Sequence, residues 1–183
     1  MRARHYGLVA AWIAYPLIAA SIILSPWFSF YDDALSDLGN YGRQGGVALI
    51  FNAGLIIAGI FAAIAGVAIA RAMKTRWALP WTILLSLSGM NLVLVGVFSM
   101  DLGLIHWAVS VSLFTLFGLT MLVYAATSPK LRAGWLGFYA GCAAVASIVI
   151  WSFSWPWRGV AIQETAAALL VSVMLTMASL KHA

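Results

Sequence analysis

The sequence has little charge: only 8% of its 183 residues are Asp, Glu, Lys or Arg, whereas 64% are hydrophobic. In soluble globular domains charged residues make up about a quarter of the chain. This scarcity excludes an ordinary soluble domain and indicates an integral membrane protein. Cysteine is scarce as well, since Cys142 is the single one. An internal disulfide and a cysteine-based metal site are therefore both excluded.

Six apolar runs account for most of the chain, at residues 7–27, 47–70, 79–98, 105–126, 134–154 and 160–180. A helix needs about 20 apolar residues to cross the hydrocarbon core of a bilayer. We therefore predict an all-α protein, a six-transmembrane-helix bundle that forms a single transmembrane domain over residues 1–183. The first run follows the basic start MRARH, and we interpret it as a retained helix rather than a cleaved signal peptide. The longest connection is the outer loop at residues 28–46.

Basic residues mark one side of the predicted bundle. Eight fall at the amino terminus, in the second and fourth connections, or at the carboxyl terminus: Arg2, Arg4, Arg71, Lys74, Arg76, Lys130, Arg132 and Lys181. Only Arg43 and Arg158 fall on the other side. The positive-inside rule then places both termini in the cytoplasm of a cell-membrane protein. Because these residues act as topology signals, the net charge of +5 does not indicate a nucleic-acid partner.

The acidic residues are all on the opposite, outer side in this topology. They are Asp32, Asp33, Asp37, Asp101 and Glu164. Acidic residues contribute little to topology, so membrane insertion does not explain this distribution. We therefore predict a polar cluster that faces the extracytoplasmic side.

The cluster contains residue types that support hydrolytic chemistry. The predicted catalytic residues are Asp37, Asp101, His106 and Glu164, and the predicted binding residues are Ser36, Asn40, Asn52, Ser110, Arg158 and Arg43. A carboxylate and an imidazole can act as general acid and base. They can also bind a divalent metal that activates water, for which the ligands would be His106, Asp37 and Glu164. His106 and Ser110 share a helix face, but four-residue spacing alone is too common to define a catalytic dyad.

Several of these residues also have structural interpretations. Ser36 or Asp37 can cap a short helical turn, because Ser and Asp favour that position. Asp101 is a plausible turn residue. Glu164 can pair with Arg158 or sit favourably near a helix amino terminus.

Small residues recur at helical spacing in two of the runs. The second run has Gly54, Ala58, Ala62 and Gly66, and the fifth has Gly137 and Gly141. Such stripes let helices approach closely in lipid. They predict a compact bundle, and they also offer faces through which a homo-oligomer can form.

Three segments resemble the prokaryotic multi-pass membrane family called domain of unknown function 998. They are DALSDLGNYG (33–42), IFNAGLIIAG (50–59) and MDLGLIHWAVS (100–110). The resemblance implies a multi-pass fold with Glu164 as the acidic residue of the last helix. It implies no activity and no cofactor.

Two functional interpretations follow. The first is an enzyme that hydrolyses or remodels a lipid head group or lipid-linked substrate, with membrane lipid as its partner and a divalent metal as the suggested cofactor. The second is a non-catalytic membrane subunit or scaffold whose outer polar network is structural. A transporter ranks third, because the middle of every run is free of charge.

Overall fold

The structure is a computed structural model that describes residues 2–182, apart from the side chain of Arg2. All regular structure in this range is helical. The α-helices are α1 (Arg2–Trp12), α2 (Ala14–Ile23), α3 (Tyr41–Gln44), α4 (Ala48–Met73), α5 (Leu79–Val97), α6 (Leu104–Thr127), α7 (Gly134–Ser152) and α8 (Ala161–His182). Short 3-10 helices lie at Leu35–Gly39, Gly45–Val47, Met100–Leu102 and Ser128–Leu131.

Six helical segments are long and apolar enough to cross a membrane, which confirms the predicted six-helix membrane fold. They are Ala3–Ile23, Tyr41–Met73, Leu79–Val97, Leu104–Leu131, Gly134–Ser152 and Ala161–His182. The second segment begins at Tyr41 because α3 and the Gly45–Val47 turn precede α4 directly. Helical structure therefore occupies part of the predicted 28–46 loop.

The first spanning segment is broken between α1 and α2. Pro16 has no N–H, so it cannot donate to the carbonyl of Trp12 one turn earlier. The helix ends at Trp12 and restarts at Ala14, while the Ile13 N–H still bonds to the Val9 carbonyl at 2.9 Å. The proline therefore explains the break.

The spanning helices form a ring, in which α1 and α2 pack on α4, then α4 on α5, α5 on α6, α6 on α7, α7 on α8, and α8 on α1. The α4–α5 contact is especially close. A Cβ atom on Gly59 would lie 2.6 Å from the Gly89 carbonyl oxygen, so only glycine fits there. The Ser86 hydroxyl donates to the Ala63 carbonyl across the same contact at 3.1 Å.

Three glycines of the predicted small-residue stripes lie against other parts of the same chain. Gly54 faces Leu17 of α2, and Gly66 faces Thr82 of α5. Gly137 faces the 3-10 helix between α6 and α7. The close helix contacts that the glycines predict are therefore made within one chain, and a homo-oligomer stays a prediction.

The two ends of the bundle differ in charge and in packing. We call the end formed by residues 24–47, 98–103 and 153–160 the acidic face, because four of the five acidic residues lie in these connections and Glu164 lies in the first turn of α8 beside them. At the opposite end, Trp81 and Tyr124 form a buried edge-to-face pair with ring centroids 4.9 Å apart. The interior is closely packed there.

Candidate functional site

The connection at residues 24–47, called here the acidic loop, folds over the acidic face. Its buried side chains Leu35 and Leu38 pack with Phe51 of α4 and Ala161 of α8. Leu38 is completely buried. Burial of these apolar groups holds the loop against the bundle, since each such side chain contributes about 1.5–3 kcal/mol when removed from water.

Glu164 connects α8 to the acidic loop. Its Oε2 accepts a hydrogen bond from the backbone N–H of Leu35 at 2.5 Å, and its carboxylate also accepts from the N–H of Ser36. These N–H groups begin the Leu35–Gly39 3-10 helix, where no carbonyl is available to accept from them. Glu164 therefore caps a loop helix, and the predicted pairing with Arg158 is replaced by these backbone contacts.

Asp101 connects the α5–α6 turn to the acidic loop in the same way. Its two carboxylate oxygens accept from the N–H groups of Tyr41 and Gly42 at 2.8 and 2.7 Å, and the Ser99 hydroxyl donates to it at 2.9 Å. The N–H of Gly42, followed by that of Tyr41 and the hydroxyl of Ser99, holds the pKa of Asp101 below its usual range. Asp101 thus remains ionised and caps α3.

Asp37 and Asn40 act within the loop. Asp37 Oδ2 accepts from the Ala34 N–H at 2.8 Å, which completes the cap of the 3-10 helix. Asn40 Oδ1 accepts from the Arg43 N–H at 2.9 Å and caps α3. Ser and Asx side chains are favoured at such positions because they satisfy the first N–H groups of a helix.

The two remaining carboxylates also hold the loop. Asp33 accepts from the Ser29 N–H at 2.9 Å and forms an ion pair with Arg43 at 2.9 Å. The Arg43 guanidinium lies 3.5 Å from the centroid of the Trp27 ring. Asp32 accepts from the Ser29 hydroxyl at 2.9 Å. The positive charge of Arg43, which is one of the predicted binding residues, is therefore paired with Asp33.

Asn52 and Arg158 contact the loop from its two sides. The buried Asn52 amide donates to the Gly39 carbonyl at 3.0 Å. The backbone N–H of Arg158 donates to the Tyr31 carbonyl at 2.9 Å, and its side chain is exposed. The side chain of Asn52, one of the predicted binding residues, therefore bonds to the loop.

A cavity of about 410 Å³ lies beneath the acidic loop, inside the helix ring. Apolar residues of α1, α2, α4, α5, α6 and α8 form most of its wall, including Ala58, Ala62 and Leu113. Polar groups enter the wall at Ser36, Ser110 and Glu164. Among the described residues that line the cavity, Glu164 carries the one carboxyl group.

His106 and Ser110 form a hydrogen-bonded pair at this cavity. The Ser110 hydroxyl lies 3.2 Å from His106 Nε2, and His106 Nδ1 lies 2.6 Å from the backbone carbonyl of Phe98. A carbonyl can only accept, so Nδ1 must carry a proton, and Nε2 of the neutral ring then accepts from Ser110. A hydroxyl, a base and a group that orients the base are the components of an activated serine nucleophile.

The structure separates the four residues predicted to be catalytic into two pairs. Glu164 lines the cavity, and His106 contacts Ser110, which also lines it. Asp37 and Asp101 are bonded to backbone N–H groups and do not line the cavity. Sequence reasoning missed the Phe98 carbonyl that orients His106. Every residue has a backbone carbonyl, so the residue type gives no indication of which one will accept.

The predicted metal site is not formed. Over the described residues, no three His, Cys, Asp or Glu side chains are grouped closely enough to hold one metal ion. His106, Asp37 and Glu164 therefore do not fit a divalent metal, since ligands must converge to roughly 2 Å from the ion.

One family model matches nearly the whole chain. The family described as Protein of unknown function (DUF998) matches residues 8–181. No curated protein and no protein of solved structure matches the chain.

Proposed function

The chain belongs to the DUF998 family of proteins of unknown function, and we propose that it is a membrane-embedded enzyme that cleaves or transfers an acyl group of a lipid or lipid-linked substrate. The proposal rests on one observation. Ser110, with its hydroxyl on Nε2 of His106, lies in the wall of an apolar cavity inside the bundle.

The cavity suits a hydrocarbon chain bearing a single polar group. Small-molecule sites are mostly apolar, with a few polar groups that fix orientation. Here the apolar wall matches an acyl chain, and Ser36, Ser110 and Glu164 are available to an ester and its neighbouring hydroxyls. This pattern favours a lipid over a water-soluble substrate.

The residues support a serine-type reaction. As Ser110 Oγ bonds to the ester carbonyl carbon, its proton passes to Nε2 of His106. The ester C–O bond then breaks, and His106 returns the proton to the departing alcohol oxygen. Water or an acceptor hydroxyl attacks the acyl carbon next and gives its proton to His106, which passes it to Ser110 as the acyl–serine bond breaks. The Phe98 carbonyl holds the imidazole in the required tautomer throughout.

We also propose that the acidic face is extracytoplasmic and that both termini are cytoplasmic. The support is the distribution of basic residues, because Arg71, Lys74, Arg76, Lys130 and Arg132 all belong to the opposite end. The positive-inside rule makes that end cytoplasmic. The substrate would then come from the outer leaflet of the cell membrane.

An alkyl fluorophosphonate tests the enzyme proposal, because it forms a covalent bond with activated serines. The full chain in lipid nanodiscs is treated with the probe, and modified peptides are identified by mass spectrometry. We expect modification at Ser110 that is lost in Ser110→Ala and strongly slowed in His106→Gln. Ser172→Ala is the matched control, since Ser172 also lines the cavity but contacts Tyr15 at 3.0 Å.

Two results would overturn the enzyme proposal. One is the absence of modification at Ser110 in protein whose thermal unfolding shows it to be folded. The other is modification at the same rate in His106→Gln, which would mean that His106 does not activate the hydroxyl.

A non-catalytic lipid-binding subunit is the second candidate. The observation that favours it is that all five carboxylates accept hydrogen bonds from residues of the acidic loop. In that case the cavity binds lipid but Ser110 stays unreactive. Lipid that copurifies equally with the wild-type chain and with Ser110→Ala, without probe modification, would support this function.

A further inference from the structure

A second recess of about 400 Å³ lies between α6 and α7. We call it the α6–α7 groove; its walls include Phe114, Gly118 and Leu122 of α6 and Ala144, Ser147 and Trp151 of α7. We propose that this groove binds an acyl chain of a membrane lipid and that Phe114 is the gate between it and the central cavity. The passage of lipid from the groove through the gate into the central cavity rests on the proposed function. The binding of an acyl chain in the groove does not.

The connection between the two spaces is Phe114. Its side chain lines both the central cavity and the α6–α7 groove. The ring contacts Trp151 on the groove side, with centroids 4.7 Å apart, and Phe117 with centroids 6.1 Å apart. Ser110 precedes Phe114 by one helical turn and therefore lies on the same face of α6. A rotation of this one side chain would join the groove to the wall that holds Ser110.

The groove contains a polar group without a partner. Ser147 is 7% exposed, and its hydroxyl has no hydrogen-bond partner among the described residues. A buried hydroxyl that is left unpaired is unfavourable in an apolar environment. A rotation of the Ser147 side chain toward the groove would let its hydroxyl donate to an ester carbonyl of a lipid. Ser147 lies five residues before Ser152 at the end of α7, so a rise of 1.5 Å per residue places it about 7.5 Å from that end.

Gly118 supplies the open floor of the groove. A Cβ atom at this position would meet no described atom within 4 Å. A glycine in the middle of a helix costs roughly 1 kcal/mol relative to alanine. Close packing against a neighbouring helix explains Gly59 and Gly66, but it does not explain Gly118. Access for a ligand does.

The length of the groove favours an acyl chain over a helix of a second copy. Phe114 and Leu122 are eight residues apart, so the groove extends about 12 Å along α6. A hydrocarbon core is about 30 Å thick, so the groove is much shorter than a membrane crossing and about as long as one leaflet is thick. A spanning helix would contact the whole length of α6 and α7, but one lipid chain occupies only its own leaflet. At the rim of the groove, the apolar side chains of Val145 and Ile148 are exposed on the outer surface of the bundle, where lipid would surround the protein.

Photocrosslinking of lipid to the full chain tests the proposal. The protein is placed in nanodiscs of phosphatidylcholine that carries a diazirine on one acyl chain, and labelled residues are mapped after irradiation. We expect labelling around Val145 and Ile148 to exceed labelling around Phe138 several-fold. Phe138 is the matched control because it is on the same helix and 76% exposed but lies outside the groove.

Two variants separate the groove from the gate. Gly118→Leu should fill the groove and reduce its labelling several-fold without lowering the unfolding temperature, because the position has open space. Phe114→Ala should raise labelling of cavity residues Leu92 and Leu113 several-fold, whereas Phe114→Trp should lower it.

The outcomes distinguish this proposal from the enzyme proposal. Groove labelling no higher than that at Phe138 would overturn acyl-chain binding. Cavity labelling that is identical in wild type, Phe114→Ala and Phe114→Trp would overturn the gate. Groove labelling that persists while Ser110 fails to react with fluorophosphonate would support the groove and overturn only the enzyme.

Discussion

Glu164 accepts the backbone N–H of Leu35 across 129 residues of sequence, with Oε2 and N 2.5 Å apart. Both residues are buried. The contact joins the first turn of α8 to the first turn of the loop helix, directly above the central cavity. The carboxyl group of Glu164 is therefore part of the cavity wall and also attaches the acidic loop that lies over the cavity.

Substitution of Glu164 should loosen this attachment. Glu164→Ala leaves the Leu35 N–H buried without an acceptor, and such a group costs about 1–3 kcal/mol. Glu164→Gln keeps a carbonyl oxygen that can accept, so it should lose less. We expect the unfolding temperature in nanodiscs to be highest for wild type, lower for Glu164→Gln and lowest for Glu164→Ala. Hydrogen exchange at residues 35–39 should rise in the same order. Equal unfolding temperatures for wild type and Glu164→Ala would contradict this role.

The contact between Asp101 and α3 should depend on pH. Its folded-state pKa lies below the usual range, chiefly because of the Gly42 N–H, so its stabilising effect is present above the unfolded-state pKa of about 4. The effect is lost as the pH falls through the lower, folded-state value. We expect the difference in unfolding temperature between wild type and Asp101→Asn to be constant near neutral pH and to shrink only below about pH 4.

Asp32→Asn is the control for that measurement. Asp32 contacts the Ser29 hydroxyl and no helix amino terminus in the described structure, so its substitution should have a smaller effect. A difference for Asp101→Asn that grows as the pH falls would contradict the assigned role of Asp101.

Enlarging an alanine should have opposite consequences at two neighbouring positions of α4. Ala62 lines the cavity, so Ala62→Leu should reduce fluorophosphonate modification of Ser110 and copurified lipid with little change in unfolding temperature. Ala65 is completely buried in the packed core, so Ala65→Leu should destabilise the protein by about 1–3 kcal/mol through overpacking. Equal destabilisation by the two substitutions would mean that the space beside Ala62 is not available to a ligand.

The proposed orientation is tested with cysteines in intact cells. In a Cys142→Ser background, Asp32→Cys on the acidic face should react with a membrane-impermeant maleimide added outside. Thr75→Cys, in the connection between α4 and α5, should react only after the membrane is permeabilised. The reverse pattern would place the acidic face in the cytoplasm.

The sequence alone predicts the six-helix fold and identifies the end of the bundle that holds the acids. Apolar length determines the number of crossings, and an alternating path brings the odd-numbered connections to one end. These constraints do not determine what each carboxylate binds. Asp37 and Asp101 accept from backbone N–H groups of short loop helices, and such donors exist only once the loop has its conformation.

The cavity was equally hidden from sequence reasoning. Ala58 and Ala62 belong to a small-residue stripe, and the stripe predicted close helix contacts. Gly54 and Gly66 do make such contacts, but the two alanines line an open space. A small side chain permits either arrangement, so the distinction requires the positions of the neighbouring helices. Sequence reasoning also could not show whether the predicted metal ligands meet, because acids on one face do not necessarily converge on one point, and among the described residues no three such side chains do.

The glycine contact between α4 and α5 determines which wall of the cavity can yield. Backbone meets backbone at Gly59 and Gly89, with no side chain between them that can change rotamer. This pair of helices therefore forms a fixed wall along one side of the cavity. In the proposed function, adjustment to longer or shorter acyl groups would come from walls formed by side chains, such as those of α6 and the acidic loop. Selectivity for chain length should accordingly evolve by substitutions on α6, while α4 and α5 keep their glycines.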